Sequence, residues 1–220
     1  MSDVLRCSTA GPQMTITLCR PRVHNALDAG LSAGLARAFR EAARCEQTRY
    51  VVLAGEGPSF CAGADLQGMR AAGTASPQEN RADASILASV LEAIAHCPKP
   101  VIARVNGVCL GGGVGLAAAC DLAVATPDAV FGLSEVRLGL VPATIFPYLL
   151  RKVPPHRLLY AALTGERFSA AVAQDLGLIQ EVADDPGEVV GRWASLLLAG
   201  GPQALAQVKE LFRLVPEMPW

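Results

Sequence analysis

The chain has 220 residues, of which 51% are hydrophobic and 18% charged, with a mean hydropathy of +0.33, enough apolar content to bury the core of one globular domain. A formal charge of -1 and a pI near 6.3 exclude the broad basic field that nucleic acid requires and leave only local patches for a small anionic ligand. Residues 1–18 lack a basic stretch followed by an uninterrupted apolar run, and no later segment reaches the roughly 18 uncharged apolar residues that span a bilayer. A soluble, cytoplasmic protein with neither membrane nor nucleic acid as partner is therefore expected.

In chain order, Met14–Leu18 alternates β-branched and apolar residues as a strand does, and Pro21 closes it. Asp28 is placed to cap a helix in which Leu31, Leu35, Ala38, Phe39 and Ala42 share one face, with Arg37, Arg40, Glu41 and Arg44 away from it. Tyr50–Ala54 reads as a short buried strand, ended by Gly55-Glu56-Gly57-Pro58. After FCAGADL (residues 60–66), residues 68–80 are polar and glycine-containing, the composition of a mobile loop.

A second amphipathic helix carries Ile86, Leu87, Val90, Leu91 and Ile94 and stops before Pro98 and Pro100. Val101–Val105 is a third strand, Asn106-Gly107 a turn, Gly111–Cys120 a short helix opening within a glycine run, and Leu122–Ala125 a fourth strand; from Pro142 onward the chain reads as mostly helical. Recurring strand, turn and helix argue for an α/β layered architecture. The seven cysteines are mostly set singly among apolar neighbours with no C-x-x-C pair, so free buried thiols are expected. No clustering of His, Cys and carboxylates has metal-ligand spacing.

The glycine run, GGGVGLAAACD from Gly111, follows a strand and opens a helix, so its backbone N–H groups face whatever lies at the helix N-terminus, where the macrodipole favours negative charge. A dinucleotide fingerprint fails, because Leu116 stands where the last glycine is required, and a phosphate loop fails for want of a following Lys-Ser or Lys-Thr. Close helix packing against a neighbouring backbone is the alternative. FCAGADL is a second turn of small residues able to offer an N–H group, and two converging backbone donors suit a developing oxyanion.

On the motifs RPRVHNAL (20–27), FCAGADL, VIARVNGVCLGGGVGLAAACDLAVAT and FGLSEVRLGL, in that order between Met14 and Gln180, the chain resembles the crotonase, or enoyl-CoA hydratase/isomerase, superfamily. The resemblance implies an α/β fold built as a spiral of ββα units, with a core domain over residues 1–190 and a helical C-terminal segment over 191–220 that is short beside the family pattern. It implies a homotrimer or dimer of trimers, which a short C-terminus would weaken, and an acyl-CoA or acyl-carrier-protein thioester as substrate, with no further cofactor.

Carried over position by position, the oxyanion hole resembles the N–H groups of Ala64 and Gly112. His24, Ala26, Leu27, Ala62, Asp65 and Leu66 fall where the family wraps coenzyme A, and Gly111, Gly115 and Pro142 join them as substrate-contacting positions; His24 reads equally well as a surface histidine. Glu135 matches the second of two glutamates usual in the family's hydratases, whereas the first is replaced by Gly115. A lone carboxylate between Leu133 and Leu138 is expected to have its pKa raised by desolvation and to act alternately as base and acid; the alternative is an ion pair with Arg137.

The stretch FGLSEVRLGLVPATIFPYLLRKV, with Gly115, resembles a narrower group, the methylglutaconyl-CoA hydratase-like enzymes and the dehydratases acting on hydroxymethylglutaryl groups in polyketide β-branching. That implies a lyase adding or removing water at a branched β-carbon through an enolate. Loss of one carboxylate is expected to open room for a substrate's own distal carboxylate, with Arg70, Arg104, Arg137 or Arg151 as its partner. Within the family the rivals are a double-bond isomerase and a decarboxylase, and outside catalysis a silent acyl-CoA-binding subunit. Ser134 and Ser59 do not sit in G-x-S-x-G, which argues against a serine hydrolase.

Overall fold

The computed structural model describes residues 4–65 and 76–215. Its strands are β1 (Leu5–Ala10), β2 (Gln13–Leu18), β3 (Tyr50–Gly55), β4 (Ser59–Cys61), β5 (Val101–Val105), β6 (Val108–Leu110), β7 (Leu122–Ala125), β8 (Val130–Gly132), β9 (Arg167–Ser169) and β10 (Glu181–Val182). The helices are α1 (Ala29–Arg44), α2 (Pro77–Ala95), α3 (Gly112–Ala119), α4 (Phe146–Leu149), α5 (Pro155–Thr164), α6 (Ala170–Asp175), α7 (Pro186–Ala199) and α8 (Pro202–Leu214).

Two sheets organise these elements. The larger has the order β1-β2-β3-β5-β7-β10 and the smaller β4-β6-β8-β9. The pairs β3/β4, β5/β6 and β7/β8 each put their first strand in the larger sheet and their second in the smaller, so the chain passes through both sheets on every turn of a spiral. Within the larger sheet β2, β3, β5, β7 and β10 are parallel, and β1 closes one edge as an antiparallel hairpin with β2. In the smaller sheet β4, β6 and β8 are parallel and β9 is antiparallel.

The alternation along the central strands explains why both faces of the larger sheet are covered. Val51, Leu53, Val101 and Ala103 turn into the main core with α1, α2 and α3, while Tyr50, Val52, Ile102 and Val124 turn the other way against Val189, Val190 and Ala194 of α7. Helix α7 therefore runs unbroken across residue 190 and belongs to the sheet it covers. Among the largest side chains of the interior are Phe39, Phe60 and Phe131, all fully buried. Truncating any of them to Ala is worth about 3–5 kcal/mol.

Helix α1 buries the face read from the sequence, and Asp28 caps it, its Oδ1 accepting from the Leu31 N–H at 2.7 Å. Helix α2 begins at Pro77, so residues 77–80 are helix and not loop as expected; residues 66–75 lie outside the described residues. The cause is a capping box in Ser76-Pro77-Gln78-Glu79. The Ser76 hydroxyl accepts from the Glu79 N–H at 3.3 Å and the Glu79 carboxylate accepts from the Ser76 N–H at 2.7 Å, with proline pre-set for the first turn.

The cysteines divide by position. Cys61, Cys97, Cys109 and Cys120 are buried thiols, with burial pushing Cys61 and Cys120 up to about 12, but Cys7 is exposed and Cys19 and Cys45 are half-buried. Cys7 differs from the expectation because β1 is an edge strand, open along most of its length. Among the described residues no helix is long and apolar enough to cross a membrane.

Candidate active site

Residues 20–28 are folded by their own polar groups. Pro21–Val23 makes a 3-10 turn, and His24 and Asn25 follow at φ 52° and 55°, a region that suits asparagine better than most side chains. The Asn25 side chain is wholly buried; its Oδ1 accepts from the Arg20 N–H at 2.8 Å, and its amide donates to the carbonyls of Glu56 at 3.0 Å and Ser59 at 2.7 Å. Arg20 spans the same loop, donating to the Ala26 carbonyl and pairing with Asp28 and Asp65, each at 3.1 Å.

This loop lies beside residues 62–65 as a parallel bridge between Leu27 and Ala64. Leu27 donates to the Gly63 carbonyl at 2.7 Å, Asp65 donates to the Leu27 carbonyl at 2.9 Å, and Ala62 donates to the His24 carbonyl at 2.9 Å. Along such a ladder alternate residues bond to alternate sides, so the Ala64 N–H is turned away from Leu27. Gly63 makes the turn possible: it holds φ 91°, and a Cβ there would lie 2.9 Å from the Leu110 carbonyl and 3.4 Å from the Gly112 nitrogen. The loop carrying Ala64 and the start of α3 are thus in contact.

Helix α3 is buried at all eight residues, as a helix apolar all round must be. Gly112 is its first residue, so the Gly112 N–H has no acceptor within the helix. Gly113 is pressed on the β4 strand, where a Cβ would meet the Cys61 carbonyl oxygen at 2.2 Å. Gly111 holds φ 50° and donates to the Gly132 carbonyl at 2.9 Å, which joins the end of β6 to the end of β8.

Three residues past β8, Glu135 begins a 3-10 turn that closes at Gly139. Its carboxylate lies on the bare face of Gly111: a Cβ there would sit 3.1 Å from Oε1 and 3.8 Å from Oε2. Oε2 is buried with no hydrogen-bond partner among the described residues, and burial raises the Glu135 pKa above its ordinary value, opposed only by its own backbone N–H. No ion pair joins Glu135 to Arg137; Arg137 reaches instead toward the Thr164 carbonyl. Ala64, Gly112 and Glu135 therefore follow the carboxyl ends of β4, β6 and β8, three neighbouring parallel strands, the usual location of ligand sites in parallel sheets.

The other sequence-derived positions divide. Ala26, Leu27, Ala62 and Asp65 lie in the ladder beside Ala64, with Asp65 held by Arg20. His24 is exposed, its Nδ1 2.8 Å from the hydroxyl of buried Ser59. Pro142 is buried and its carbonyl accepts from Ile145 and Phe146, both at 3.2 Å. Leu66 and Arg70 lie outside the described residues.

The space expected at Gly115 is taken: a Cβ on that residue would fall 2.3 Å from Ile145 Cγ2. No room for a distal carboxylate arises there. Arg104 is an exposed residue of β5, and Arg151 stacks over Tyr148 beside a cavity of about 250 Å3 at the far end of α3. Sequence reasoning passed over Arg20 and Asn25, although both stand in RPRVHNAL, where an asparagine amid turn residues is a signal of left-handed backbone. It passed over Ile145, which carries no local signal.

The family model for enoyl-CoA hydratase/isomerase matches residues 12–217. The chain belongs to the enoyl-CoA hydratase/isomerase family. Its relatives in that family include mevalonyl-coenzyme A hydratase SIDH of Beauveria bassiana, 36% identical over 201 residues, covering 87% of this chain and 72% of the relative. A carnitinyl-CoA dehydratase of Salmonella typhi is 35% identical over 223 residues, covering 100% of this chain and 84% of the relative. Enoyl-CoA hydratase AFT6-1 of Alternaria alternata is 35% identical over 201 residues, 90% of this chain, and this chain spans 65% of that relative's length. Among solved structures, an enoyl-CoA hydratase from Shewanella pealeana superposes with a TM-score of 0.95 at 35% identity, covering 99% of this chain and 82% of the other. The two-sheet spiral is thus the crotonase-type α/β fold.

Proposed function

We propose that the chain works as an acyl-CoA hydratase or dehydratase, a lyase that moves water across the α,β-bond of an acyl thioester. The observation that carries this reading is the half-buried carboxylate of Glu135, whose buried Oε2 has no partner among the described residues and which lies against the residue that precedes the Gly112 N–H. The names of the relatives, hydratases and a dehydratase of CoA thioesters, support it.

In the hydration direction the N–H groups of Ala64 and Gly112 polarise the thioester carbonyl. Glu135 accepts a proton from water as the water oxygen bonds to the β-carbon, and the electron pair of the double bond moves to the thioester oxygen as an enolate. The enolate collapses and the α-carbon takes the same proton back from Glu135, so that water is the net addition. A carboxyl raised in pKa suits both halves of that cycle. The transfer is of proton and water alone, and the reading calls for no cofactor beyond the thioester.

The acyl group we assign is branched at the β-carbon, of the methylglutaconyl or hydroxymethylglutaryl kind. A relative named for mevalonyl-CoA, itself β-methyl-branched, supports that assignment. A homotrimer is the assembly we assign, supported by the apolar residues exposed on α5 and α8, among them Leu163 and Phe212; light scattering of the purified protein tests it.

Incubation with crotonyl-CoA, 3-methylglutaconyl-CoA and a 3-enoyl-CoA, with mass analysis of the products, tests the reaction. Gain of water that disappears in Glu135→Gln is the expected result. A shifted double bond at unchanged mass, or loss of carbon dioxide, replaces the assignment by an isomerase or a decarboxylase. Binding without turnover, unchanged in Glu135→Gln, leaves a thioester-binding protein. Repeating the assay with the same acyl group on a carrier protein distinguishes the two carriers.

A further inference from the structure

Arg20 stands at the head of a row of peptide groups that ends at the Ala64 N–H. Its guanidinium donates to the Ala26 carbonyl. The N–H of that same peptide, carried by Leu27, donates to the Gly63 carbonyl at 2.7 Å, and the N–H of the Gly63 peptide is that of Ala64. In a planar trans peptide the N–H points opposite to the C=O, so the direction of the Gly63 carbonyl sets that of the Ala64 N–H. The neighbouring groups hold the same register. Asp65 donates its N–H to the Leu27 carbonyl at 2.9 Å, and its carboxylate meets the guanidinium at 3.1 Å. The Asp28 carboxylate also meets the guanidinium at 3.1 Å and caps α1 with its other oxygen.

One guanidinium thus fastens the residues on both sides of Leu27 and the residue that follows Ala64, and Leu27 and Ala64 are the two members of the bridge. The Arg20 and Asp65 side chains are only 17% and 18% exposed, which limits competition from water. The backbone of Arg20 is fixed as well, its N–H donating to Asn25 Oδ1 at 2.8 Å and its carbonyl accepting from the Asn25 N–H at 2.9 Å. A planar fork can hold several acceptors in set directions, where an ammonium is a point charge. A cation at one end of a hydrogen-bonded row also polarises each member, which makes the last N–H a better donor. We infer that Arg20 is a positioning residue for the oxyanion hole: through the Ala26 and Gly63 peptides it aims and polarises the Ala64 N–H. The inference rests on the reading above, in which this N–H polarises a thioester carbonyl, and adds to it the side chain that directs the donor.

The test reads the donors at the carbonyl itself. Butyryl-CoA is saturated and cannot be hydrated, so with carbon-13 at its thioester carbonyl the C=O stretch of the bound ligand is measured by difference infrared spectroscopy. Wild type and Arg20→Met are compared, with thermal melting and with kcat and KM for the thioester that gains water in the assay above. Wild type is expected to lower the stretch relative to free butyryl-CoA, and Arg20→Met to lose about half of that lowering, the share of one donor of two. With it kcat should fall roughly 10²-fold, as for a misplaced reacting geometry, while KM stays within about threefold. A folded Arg20→Met with the full wild-type shift overturns the inference, whatever its melting temperature or KM. If Arg20→Met does not fold, Arg20→Lys, which keeps the charge between Asp28 and Asp65 and loses the fork, is measured in its place; a smaller loss of the shift sustains the inference and an unchanged shift overturns it. A wild-type protein that shifts the carbonyl but hydrates nothing defeats the hydratase reading alone, and the shift still judges Arg20. A wild-type protein that leaves the carbonyl unshifted, or does not bind butyryl-CoA, defeats the oxyanion-hole reading and this inference together.

Discussion

The two ends of helix α3 are treated in opposite ways. At its C-terminal end the polar groups are paired: the ammonium of half-buried Lys152 donates to the Cys120 carbonyl at 2.7 Å and toward the Ala117 carbonyl at 3.5 Å. Asp121 next to it accepts from the Val101 N–H at 2.7 Å and pairs with Lys209 at 2.6 Å, and Lys209 also donates to the Lys99 carbonyl at 2.8 Å. At the N-terminal end the first N–H has no acceptor within the helix, and the nearby Glu135 carboxylate keeps an oxygen without a partner among the described residues. A buried polar group without a partner costs stability, so the contrast separates the end built for cohesion from the end held ready for a ligand.

The largest expected effect is at the open end. Glu135→Gln is expected to lower kcat/KM for the proposed hydration by about 10²–10⁴-fold, the range for loss of a general acid-base group. The same change is expected to raise the melting temperature at neutral pH. The sign follows from linkage: a carboxyl whose folded pKa is raised stabilises the fold only while protonated, and that contribution is lost as pH rises through the raised value. The advantage of Glu135→Gln should therefore be present above the raised pKa and vanish as pH falls below the ordinary carboxyl value. Melting curves across pH check it, and a wild-type rate profile should show its acid limb displaced upward in the same direction.

Next comes Gly113→Ala, which puts a Cβ 2.2 Å from the Cys61 carbonyl oxygen. Overpacking of this kind costs about 1–3 kcal/mol or more, and displacing the first turn of α3 should lower kcat by about 10²-fold through the Gly112 donor. Denaturant titration and steady-state rates measure the two parts. At the closed end, Lys152→Met should cost about 1–3 kcal/mol by leaving the Cys120 carbonyl unpaired, with kcat nearly unchanged. Equal loss of activity in Lys152→Met and Gly113→Ala would erase the contrast between the ends. The smallest effect belongs to Arg157→Ala on the outer surface, whose 2.6 Å pair with Asp175 is solvent-exposed and worth less than about 1 kcal/mol.

How much of this was legible depends on the length over which a signal accumulates. Strands β2, β3 and β5 and the buried face of α1 are runs of five or more residues with a clear apolar pattern, and they stand where the sequence puts them. Strands β4, β6 and β8 have three residues each, too few to establish a period of two, so the smaller sheet, which carries the site, was invisible as a sheet. The glycine triplet and Glu135 were legible as motifs. What touches them was not, because Ile145 meets Gly115 across 30 residues of chain and Lys152 meets Cys120 across 32, and nothing local announces either contact. The start of α2 was legible in principle, through Ser76 and Glu79, and was missed because glycine and polar residues just before it weighed toward a loop.

The alternation of the chain between two sheets also bears on how the site comes into being. Its three parts are laid down on successive passes, at Ala64, then Gly112, then Glu135, and each pass must find the one before it across some 20 to 50 residues. Contacts of such long sequence separation form slowly because chain-closure entropy must be overcome first. During refolding, helical signal should return ahead of turnover, and a nascent chain would hold both amide donors before it held any acid.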